Sequence, residues 1–232
     1  MPKFVIFTLA APMGAFGDLA GHERRSSGSW PARSAVLGLV GAAMGVRRND
    51  SAAQQGLSGW RVAVSVLSRG MAFRDFHTVQ TVPTARIKRP ATRRDALESL
   101  DIGDSTLITW RDYRSDCTFG VALWGQEGLS AVKEALEHPC FVPYLGRKSC
   151  PLSAPMAPRV VEAGSLIEAL AQITIPPFVS IDPNRPLLVA SDEPLGAGWQ
   201  EIRWDEPVDR TSWHFGPRTV HVCRPATPED SE

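Results

Sequence analysis

The segment FVIFTL, Phe4–Leu9, is short, apolar and rich in residues that favour β-strands. Because it lacks the alternation of a half-exposed strand, it predicts a strand that is buried on both faces. A helix is predicted next, since Pro31 suits a first helical turn and apolar residues then recur at helical spacing up to Met44. Residues 12–29, in between, are predicted to form a loop. Arg61–Leu67 alternates apolar and small or polar side chains, which predicts a second strand.

The rest of the chain predicts four further strands and two further helices. These are strands at Ser105–Tyr113, Thr118–Trp124, Leu187–Ala190 and Arg218–Cys223, and helices at Leu129–His138 and Ser165–Ile173. The front of this order predicts an α+β protein with a ferredoxin-like, RRM-like core. An insertion at about 77–114 begins with few apolar residues, so it should project from the sheet as two extended arms. We expect the core at 1–158 and an irregular, β-rich C-terminal extension at 159–232 that packs on it.

The 232-residue chain has no net charge, but its charged residues are unevenly distributed. Residues 1–114 hold 16 Lys and Arg against 9 Asp and Glu, a net charge of +7, whereas residues 115–232 have a net charge of −7. This asymmetry favours a polyanionic partner for the first part of the chain. Arginine accounts for 21 of the 25 basic residues, and its planar guanidinium binds phosphate in a bidentate manner.

Common catalytic and cofactor motifs are absent from the sequence. It contains no GxxxxGK[ST], no GxGxxG after a strand, no GxSxG and no HExxH, and its five histidines lack metal-ligand spacing. The four cysteines form no Cys-x-x-Cys pair, which argues against structural zinc. The longest apolar stretches fall short of the roughly 20 residues that span a bilayer. We therefore expect a cytoplasmic protein without a cofactor, a metal or a membrane partner.

Two basic clusters suggest where a polyanion could bind. Arg24, Arg25 and Arg33 surround a Ser/Gly loop that leads into a predicted helix N-terminus, where backbone N–H groups favour anions. Another cluster, at residues 86–94, lies in the insertion. Taken alone, each cluster could equally be a solvated loop or arm.

A third cluster lies in the segment YLGRKSCP, residues 144–151. Tyr144 could stack on a base, and Gly146 would let the backbone approach a ligand. The next three residues offer donors to phosphate: Arg147, Lys148 and Ser149. The same sequence also suits a tight turn with a purely structural role.

Several motifs taken together resemble one known family. They are PM at 12–13 with Gly17, PARS at 31–34, LGLVGA at 37–42, RDFHTV at 74–79, TWRDY at 109–113, VALW at 121–124 with Asp116 and Phe119, and YLGRKSCP at 144–151. Over residues 3–158 the chain resembles the CasD-type (type I-E) backbone subunits of the CRISPR surveillance complex Cascade, which belong to the RAMP superfamily. The last motif is the most specific of the set.

This resemblance implies a RAMP core with an inserted β-hairpin thumb. It implies a non-catalytic subunit that holds the 5′ handle of the CRISPR RNA and caps the backbone filament in RNA-guided antiviral recognition of DNA. The implied partners are CRISPR RNA, the backbone and large subunits of Cascade and, through the complex, target DNA. The candidate RNA-binding residues are Arg24, Arg25, Arg33, Arg47, His77, Thr78, Arg111, Tyr113, Tyr144, Gly146, Arg147, Lys148 and Ser149.

The alternative function is a metal-independent endoribonuclease that processes precursor CRISPR RNA, as relatives in another CRISPR subtype do. Such cleavage requires a base for the ribose 2′-OH, an acid for the leaving oxygen and a cation near the charged transition state. The side chains that could supply these groups are His22, His77, Tyr113 and Lys148. The resemblance to the type I-E branch, in which a separate subunit cuts the RNA, favours binding over catalysis.

Overall fold

The computed structural model describes residues 1–20, 23–80, 91–98, 106–209 and 214–225. Within these residues, ten strands form one sheet and five helices accompany it. The strands are β1 (Lys3–Gly14), β2 (Gly17–Ala20), β3 (Arg24–Ser27), β4 (Arg61–Ser68), β5 (Met71–Gln80), β6 (Thr106–Trp124), β7 (Arg159–Glu162), β8 (Leu188–Ser191), β9 (Trp199–Asp209) and β10 (His214–Cys223). The helices are α1 (Arg33–Ala43), α2 (Ser51–Leu57), α3 (Arg93–Glu98), α4 (Leu129–Glu137) and α5 (Leu166–Leu170).

The centre of the sheet has the strand order β7-β1-β6-β4, and every neighbouring pair is antiparallel. The sheet continues from β4 through β8 and β10 to β9, again with antiparallel pairs. This large antiparallel sheet with few helices confirms the predicted α+β class. The C-terminal strands extend the same sheet, and the predicted division of the chain at residue 158 stays a prediction.

The first strand is buried on both faces, as its sequence predicts. Every residue of Phe4–Leu9 is at most 4% exposed. Alternate side chains belong to two apolar clusters, one of which includes Phe7 with buried residues of α1 and α4. The other cluster includes Ile6 and buried residues of α5. None of the described helices has the length and apolar character needed to cross a membrane.

One continuous strand, β6, replaces the two separate strands predicted between residues 105 and 124. Asp116 interrupts the apolar pattern and has a φ of 50°, a left-handed conformation that Asp tolerates better than most residues. Pairing nevertheless continues on both sides of it, with β5 before and with β1 and β4 after. The polar interruption therefore marks a local irregularity and not the end of a strand.

The first half of β6 pairs with β5 in a long antiparallel hairpin. Met71 lies opposite Ser115, and Gln80 lies opposite Thr106. The first arm thus begins at Met71, earlier than the predicted start of the insertion at residue 77. The sequence hides this because residues 71–76 have no clean alternation. Between the arms, residues 81–90 and 99–105 lie outside the described residues.

The predicted loop at 12–29 is wrong for most of its length. β1 continues to Gly14, and β2 and β3 form an antiparallel pair at the edge of the sheet. β3 also runs parallel to β6, with Arg24 opposite Trp110 and Arg25 opposite Arg111. A short, polar edge strand of this kind has no apolar pattern to reveal it. The pairing places two candidate arginines directly beside the hairpin.

Candidate nucleic-acid interface

Residues 144–151 form a compact loop closed by backbone hydrogen bonds. Tyr144 and Pro151 form an isolated antiparallel bridge, and the N–H of Leu145 donates to the carbonyl of Cys150 at 2.8 Å. Leu145 and Cys150 are both buried, so their side chains fix the base of the loop in the core. The tip of the loop presents three candidate residues to solvent, of which the first is partly covered: Arg147, Lys148 and Ser149.

Gly146 fixes this loop against the end of β1. Its φ is +89°, and a Cβ at this position would lie 1.7 Å from the carbonyl oxygen of Ala15. Ala15 in turn donates its N–H to the carbonyl of Leu145 at 3.1 Å. The glycine therefore permits a close approach between two parts of the protein backbone, which is the structural role that the tight-turn interpretation proposed.

Arg147 turns towards the hairpin and packs on Tyr113. Its guanidinium carbon lies 4.5 Å from the centre of the tyrosine ring, a cation–π distance. Its Nη2 donates to the carbonyl of Arg25 at 3.3 Å, and its Nη1 lies 3.5 Å from the carbonyl of Asp112. Tyr113 is 6% exposed and stacks on Phe73 with a centroid distance of 5.4 Å. Tyr113 is therefore a support for Arg147, and its buried ring offers little surface to an RNA base.

Lys148, the next residue, lies on the other side of the loop and lines a groove of about 760 Å³. The end of α1 and the segment 141–144 form its other walls. Two backbone N–H groups, from Cys140 and Phe141, donate to the carbonyls of Ala43 and Ala42 at 2.9 and 3.3 Å. These bonds satisfy carbonyls that a helix end leaves without an intrahelical partner, and they hold the segment in place.

This basic groove combines three cations with two aromatic side chains. It brings together the candidates Arg47, Tyr144 and Lys148, and adds Arg48 and Phe141. Tyr144 is 39% exposed and Phe141 is 42% exposed. Cations for phosphates next to aromatic rings for bases are the features that bind single-stranded nucleic acids.

Arg33, in contrast, is used inside the protein. It is 8% exposed, and its guanidinium pairs with Asp192 and Glu206 at 3.0 Å each and donates to the carbonyl of Trp60 at 2.9 Å. Its backbone N–H donates to Asp205 at 2.8 Å. The N-terminus of α1 does attract an anion, as the sequence suggested, but the anion is a carboxylate of this chain. We therefore leave Arg33 out of the interface.

Asp112, in the hairpin arm of β6, lies between two arginines from neighbouring strands. Arg74 of β5 binds it through Nε and Nη2 at 2.6 and 3.2 Å. Arg24 of β3 binds it through the same atoms at 3.4 and 3.2 Å. The hydrogen bond from Arg74, with a smaller contribution from Arg24, lowers the pKa of the Asp112 carboxyl below its usual range.

The remaining candidates lie along the hairpin. Arg111 is partly buried opposite Asp75, and Thr78 is exposed opposite Ile108. His77 lies opposite Thr109, and its Nε2 is 3.1 Å from a carboxylate oxygen of Asp75 without hydrogen-bonding geometry. The structure thus separates the candidates into the basic groove, the loop 144–151 and the hairpin.

A sequence model of the family "CRISPR-associated protein (Cas_Cas5)" matches residues 4–221. The chain belongs to this family.

One relative in sequence and two solved structures show which known proteins this Cas_Cas5 member is similar to. It is 34% identical, over 245 aligned residues covering 97% of both proteins, to the CRISPR system Cascade subunit CasD of Escherichia coli (strain K12). Its structure matches a chain of a solved CRISPR RNA-guided surveillance complex with a TM-score of 0.69 and 25% identity, covering 95% of this chain and 89% of that one. A solved Cas protein shares the fold, with a TM-score of 0.62, 24% identity and coverage of 95% and 94%. The resemblance to CasD-type subunits that the motifs indicated is confirmed.

The residues that could make this Cas_Cas5 member a nuclease are not assembled into one site where the structure describes them. His77 and Tyr113 share a face of the hairpin but lie four residues apart along the ladder, about 13 Å between backbones. Tyr113 is also buried beneath Arg147, and His22 lies outside the described residues. Among the residues with described positions, no group of three or more His, Cys, Asp or Glu side chains could hold a metal ion.

Sequence reasoning missed four residues that the structure places in or beside the candidate interface: Arg48, Arg74, Asp112 and Phe141. Arg48 could have been included with its neighbour Arg47, and Phe141 lies three residues before Tyr144 in the same irregular segment. Asp112 and Arg74 both lie in motifs that carried the family resemblance. No local signal shows that these two residues meet, because 37 residues separate them in sequence and only the register of β5 on β6 joins them.

Proposed function

We propose that this chain is a non-catalytic RNA-binding subunit of a type I-E Cascade that holds the 5′ handle of the CRISPR RNA. The basic groove is the observation that supports this role best. Its cations can neutralise phosphates, and Phe141 and Tyr144 can stack on unpaired bases. A fixed RNA end requires both kinds of interaction and no acid–base pair.

The loop 144–151 supports a continuous path for the RNA beyond the groove. Lys148 lines the groove, whereas Arg147 lies against Tyr113 on the hairpin side of the same loop. Arg25 and Arg111 lie opposite each other beside Arg147. We infer that the RNA passes from the groove over the tip of the loop to the hairpin.

The strand order supports a RAMP architecture for the core. In a ferredoxin-like fold, four antiparallel strands connect as strand, helix, strand, strand, helix, strand. β1, α1, β4, β6, α4 and β7 follow this order along the chain and pair as β7-β1-β6-β4. We propose that they form the core, which therefore runs to Glu162, four residues beyond the predicted boundary at 158. We propose further that the hairpin is the thumb and that the residues after β7 are an extension packed on this core.

The hairpin supports a role in assembly, and with it the proposed place at the end of the backbone filament. Towards its tip it exposes large apolar side chains, among them Val79 at 39%, Leu107 at 41% and Ile108 at 47%. Adjacent exposed apolar residues are typical of surfaces that bind another protein. The proposed partners are CRISPR RNA, the backbone and large subunits of Cascade and, through the complex, target DNA. We propose that this assembly takes place in the cytoplasm, without a membrane partner or a cofactor.

The test of RNA binding is to copurify the chain with its partner subunits and CRISPR RNA and to sequence the ends of the bound RNA. The double variant Arg47→Ala/Lys148→Ala should lose most of the handle-bearing RNA, because removing each charge-assisted hydrogen bond costs about 1–3 kcal/mol. Lys3→Ala is the matched control, because it removes a surface cation paired with Glu162 at the other end of β1. Normal RNA retention in the double variant would contradict the proposal.

The non-catalytic role has a separate test. Purified chain is incubated with repeat RNA in EDTA, and the products are separated on a denaturing gel. We expect no site-specific cleavage. Cleavage that disappears in His77→Ala would overturn the binding role and support the endoribonuclease.

The assembly role of the hairpin is tested by replacing residues 78–104 with a short Gly/Ser linker. Because none of the described residues among them, 78–80 and 91–98, belongs to the two apolar clusters, we expect the core to remain folded while incorporation into the complex fails. Normal assembly of this variant would show that the segment is a dispensable surface loop.

A further inference from the structure

The two faces of the hairpin present different side chains, because successive residues of a strand point to opposite sides. Tyr113 and Arg111 lie on the face that meets Arg147. Asp112 and Trp110 lie on the other face, opposite Arg74 and Phe76 of β5. The RNA path proposed above uses the first face and leaves the second without a ligand.

On this second face, Asp112 holds two arginines that come from different strands. Both donate to its carboxylate through Nε and Nη2, with distances between 2.6 and 3.4 Å. The carboxylate side chain is 17% exposed, whereas Arg24 and Arg74 remain 57% and 47% exposed. The two guanidinium groups are therefore fixed in position and still open to solvent.

Two aromatic rings lie next to these arginines on the same face. Phe76 and Trp110 are directly opposite each other, 65% and 43% exposed. Arg24 is also the parallel-pairing partner of Trp110. A pair of fixed cations beside a pair of exposed rings matches the chemistry of single-stranded nucleic acid, since phosphates bind the cations and bases stack on the rings.

We propose that Arg24 and Arg74 form a second phosphate-binding site for single-stranded RNA, and that Asp112 is its positioning residue. The proposal rests on the RNA-binding function proposed above and adds a site on the opposite face of the hairpin. Long arginine side chains lose rotamer freedom when they bind a ligand. Asp112 removes that freedom before the RNA arrives.

This role makes an unusual prediction about charge. The lowered pKa of Asp112 keeps its carboxyl ionised at neutral pH, so it places a negative charge at a site for a polyanion. If Asp112 acted only through its charge, its removal would tighten RNA binding. If it positions the two arginines, its removal weakens RNA binding.

The experiment measures binding of a fluorescein-labelled oligouridylate to the full-length chain across a series of KCl concentrations. Asp112→Asn should weaken binding about tenfold, the effect of losing one charge-assisted hydrogen bond. The log–log salt slope should become shallower by about 0.7 for each phosphate that is no longer bound. Arg74→Ala should weaken RNA binding to a similar extent. The double variant Asp112→Asn/Arg74→Ala should bind RNA only slightly more weakly than either single variant, because the two residues act through one interaction.

Glu98→Gln is the matched control. Glu98 is an exposed carboxylate that binds Arg94 at 2.8 Å within α3, so its loss changes the charge equally without releasing arginines from two strands. We expect RNA binding of this variant to be unchanged or slightly tighter. If Asp112→Asn binds RNA as tightly as Glu98→Gln does, the positioning role is overturned.

The outcomes also separate this inference from the proposed function. If Arg47→Ala weakens RNA binding while Asp112→Asn and Arg74→Ala do not, the groove binds RNA and the second site does not exist. If the wild-type chain shows no salt-dependent RNA binding, the proposed function itself fails. A thermal unfolding scan of each variant identifies a binding loss that is caused by unfolding.

Discussion

The two ends of α1 each have an arginine, and the two arginines have opposite environments. Arg33, at the start of the helix, is buried among Asp192, Asp205 and Glu206. Arg47, just beyond the helix, is exposed in the basic groove. The acidic partners of Arg33 come from residues 159 or more positions later in the chain, whereas the groove is built around the helix end itself.

The difference shows that the charge asymmetry of the sequence has two physical origins. Part of the acidic second half neutralises a basic residue of the first half inside the folded protein. Arg218 joins the same cluster, with Asp192 at 2.6 Å and Asp205 at 2.8 Å. The positive charges of Arg47 and Lys148 remain exposed at the groove and the loop 144–151, where a polyanion can reach them.

The largest expected effect is on stability, at the buried end of the helix. Arg33→Ala leaves Asp192 and Glu206 without this partner, and breaking a buried ion pair costs about 3–5 kcal/mol. Urea unfolding should show this loss, whereas Arg47→Ala should change the free energy of unfolding by no more than about 0.5 kcal/mol. Equal effects of the two variants would remove the distinction between the two ends.

A second effect concerns the loop that forms one wall of the groove. Gly146 and Gly128 both have φ of +89°, but a Cβ at Gly146 would collide with the carbonyl of Ala15, whereas a Cβ at Gly128 would have no neighbour within 4 Å. Gly128→Ala should therefore cost only the left-handed strain of about 1–2 kcal/mol. Gly146→Ala should cost more and should also reduce RNA retention, as measured by thermal unfolding and filter binding. If Gly146→Ala and Gly128→Ala lowered stability equally, the loop 144–151 would be able to shift away from Ala15 without cost.

Arg147→Ala is expected to have an intermediate effect, mainly on RNA. Loss of one charge-assisted hydrogen bond should weaken retention by about 1–3 kcal/mol, with a smaller change in stability because the cation–π interaction with Tyr113 is removed. Binding and unfolding are measured on the same sample. Unchanged retention together with lowered thermal stability would support the tight-turn interpretation instead.

The smallest effect is the dependence of stability on pH at Asp112. Its folded pKa is lowered, so its ion pairs stabilise the protein above the unfolded value of about 3.9 and this contribution is lost as the pH falls through the folded value. Asp112→Asn should cost less than about 1 kcal/mol at pH 7, because the arginines are largely exposed. The difference from wild type should shrink at about pH 3 in urea titrations. If the difference in the free energy of unfolding between wild type and Asp112→Asn stays the same at both pH values, the ion pairs of Asp112 do not cause it.

Local sequence patterns predict the elements that bury apolar residues. FVIFTL and the helix after Pro31 follow from hydrophobic pattern alone, because burial of apolar area drives their formation. β3 could not be predicted in this way, since Arg24–Ser27 contributes no apolar residue and depends on pairing with β6. The same limit applies to the site. The family resemblance identifies the loop 144–151, but the burial of Arg33 and the pairing of Arg74 with Asp112 depend on interactions between distant segments.

The continuity of β6 restricts how the family can vary in length at this point. The strand runs without a break from the hairpin into the core, so the orientation of each hairpin residue is set by its distance from Asp116. Loss or gain of a single residue between Trp110 and Asp116 would exchange the two faces. Arg111 and Tyr113 would then take the side of Asp112, and the support beneath Arg147 would disappear. We therefore expect natural insertions and deletions in this arm to come in pairs of residues, or to lie beyond it near the tip of the hairpin.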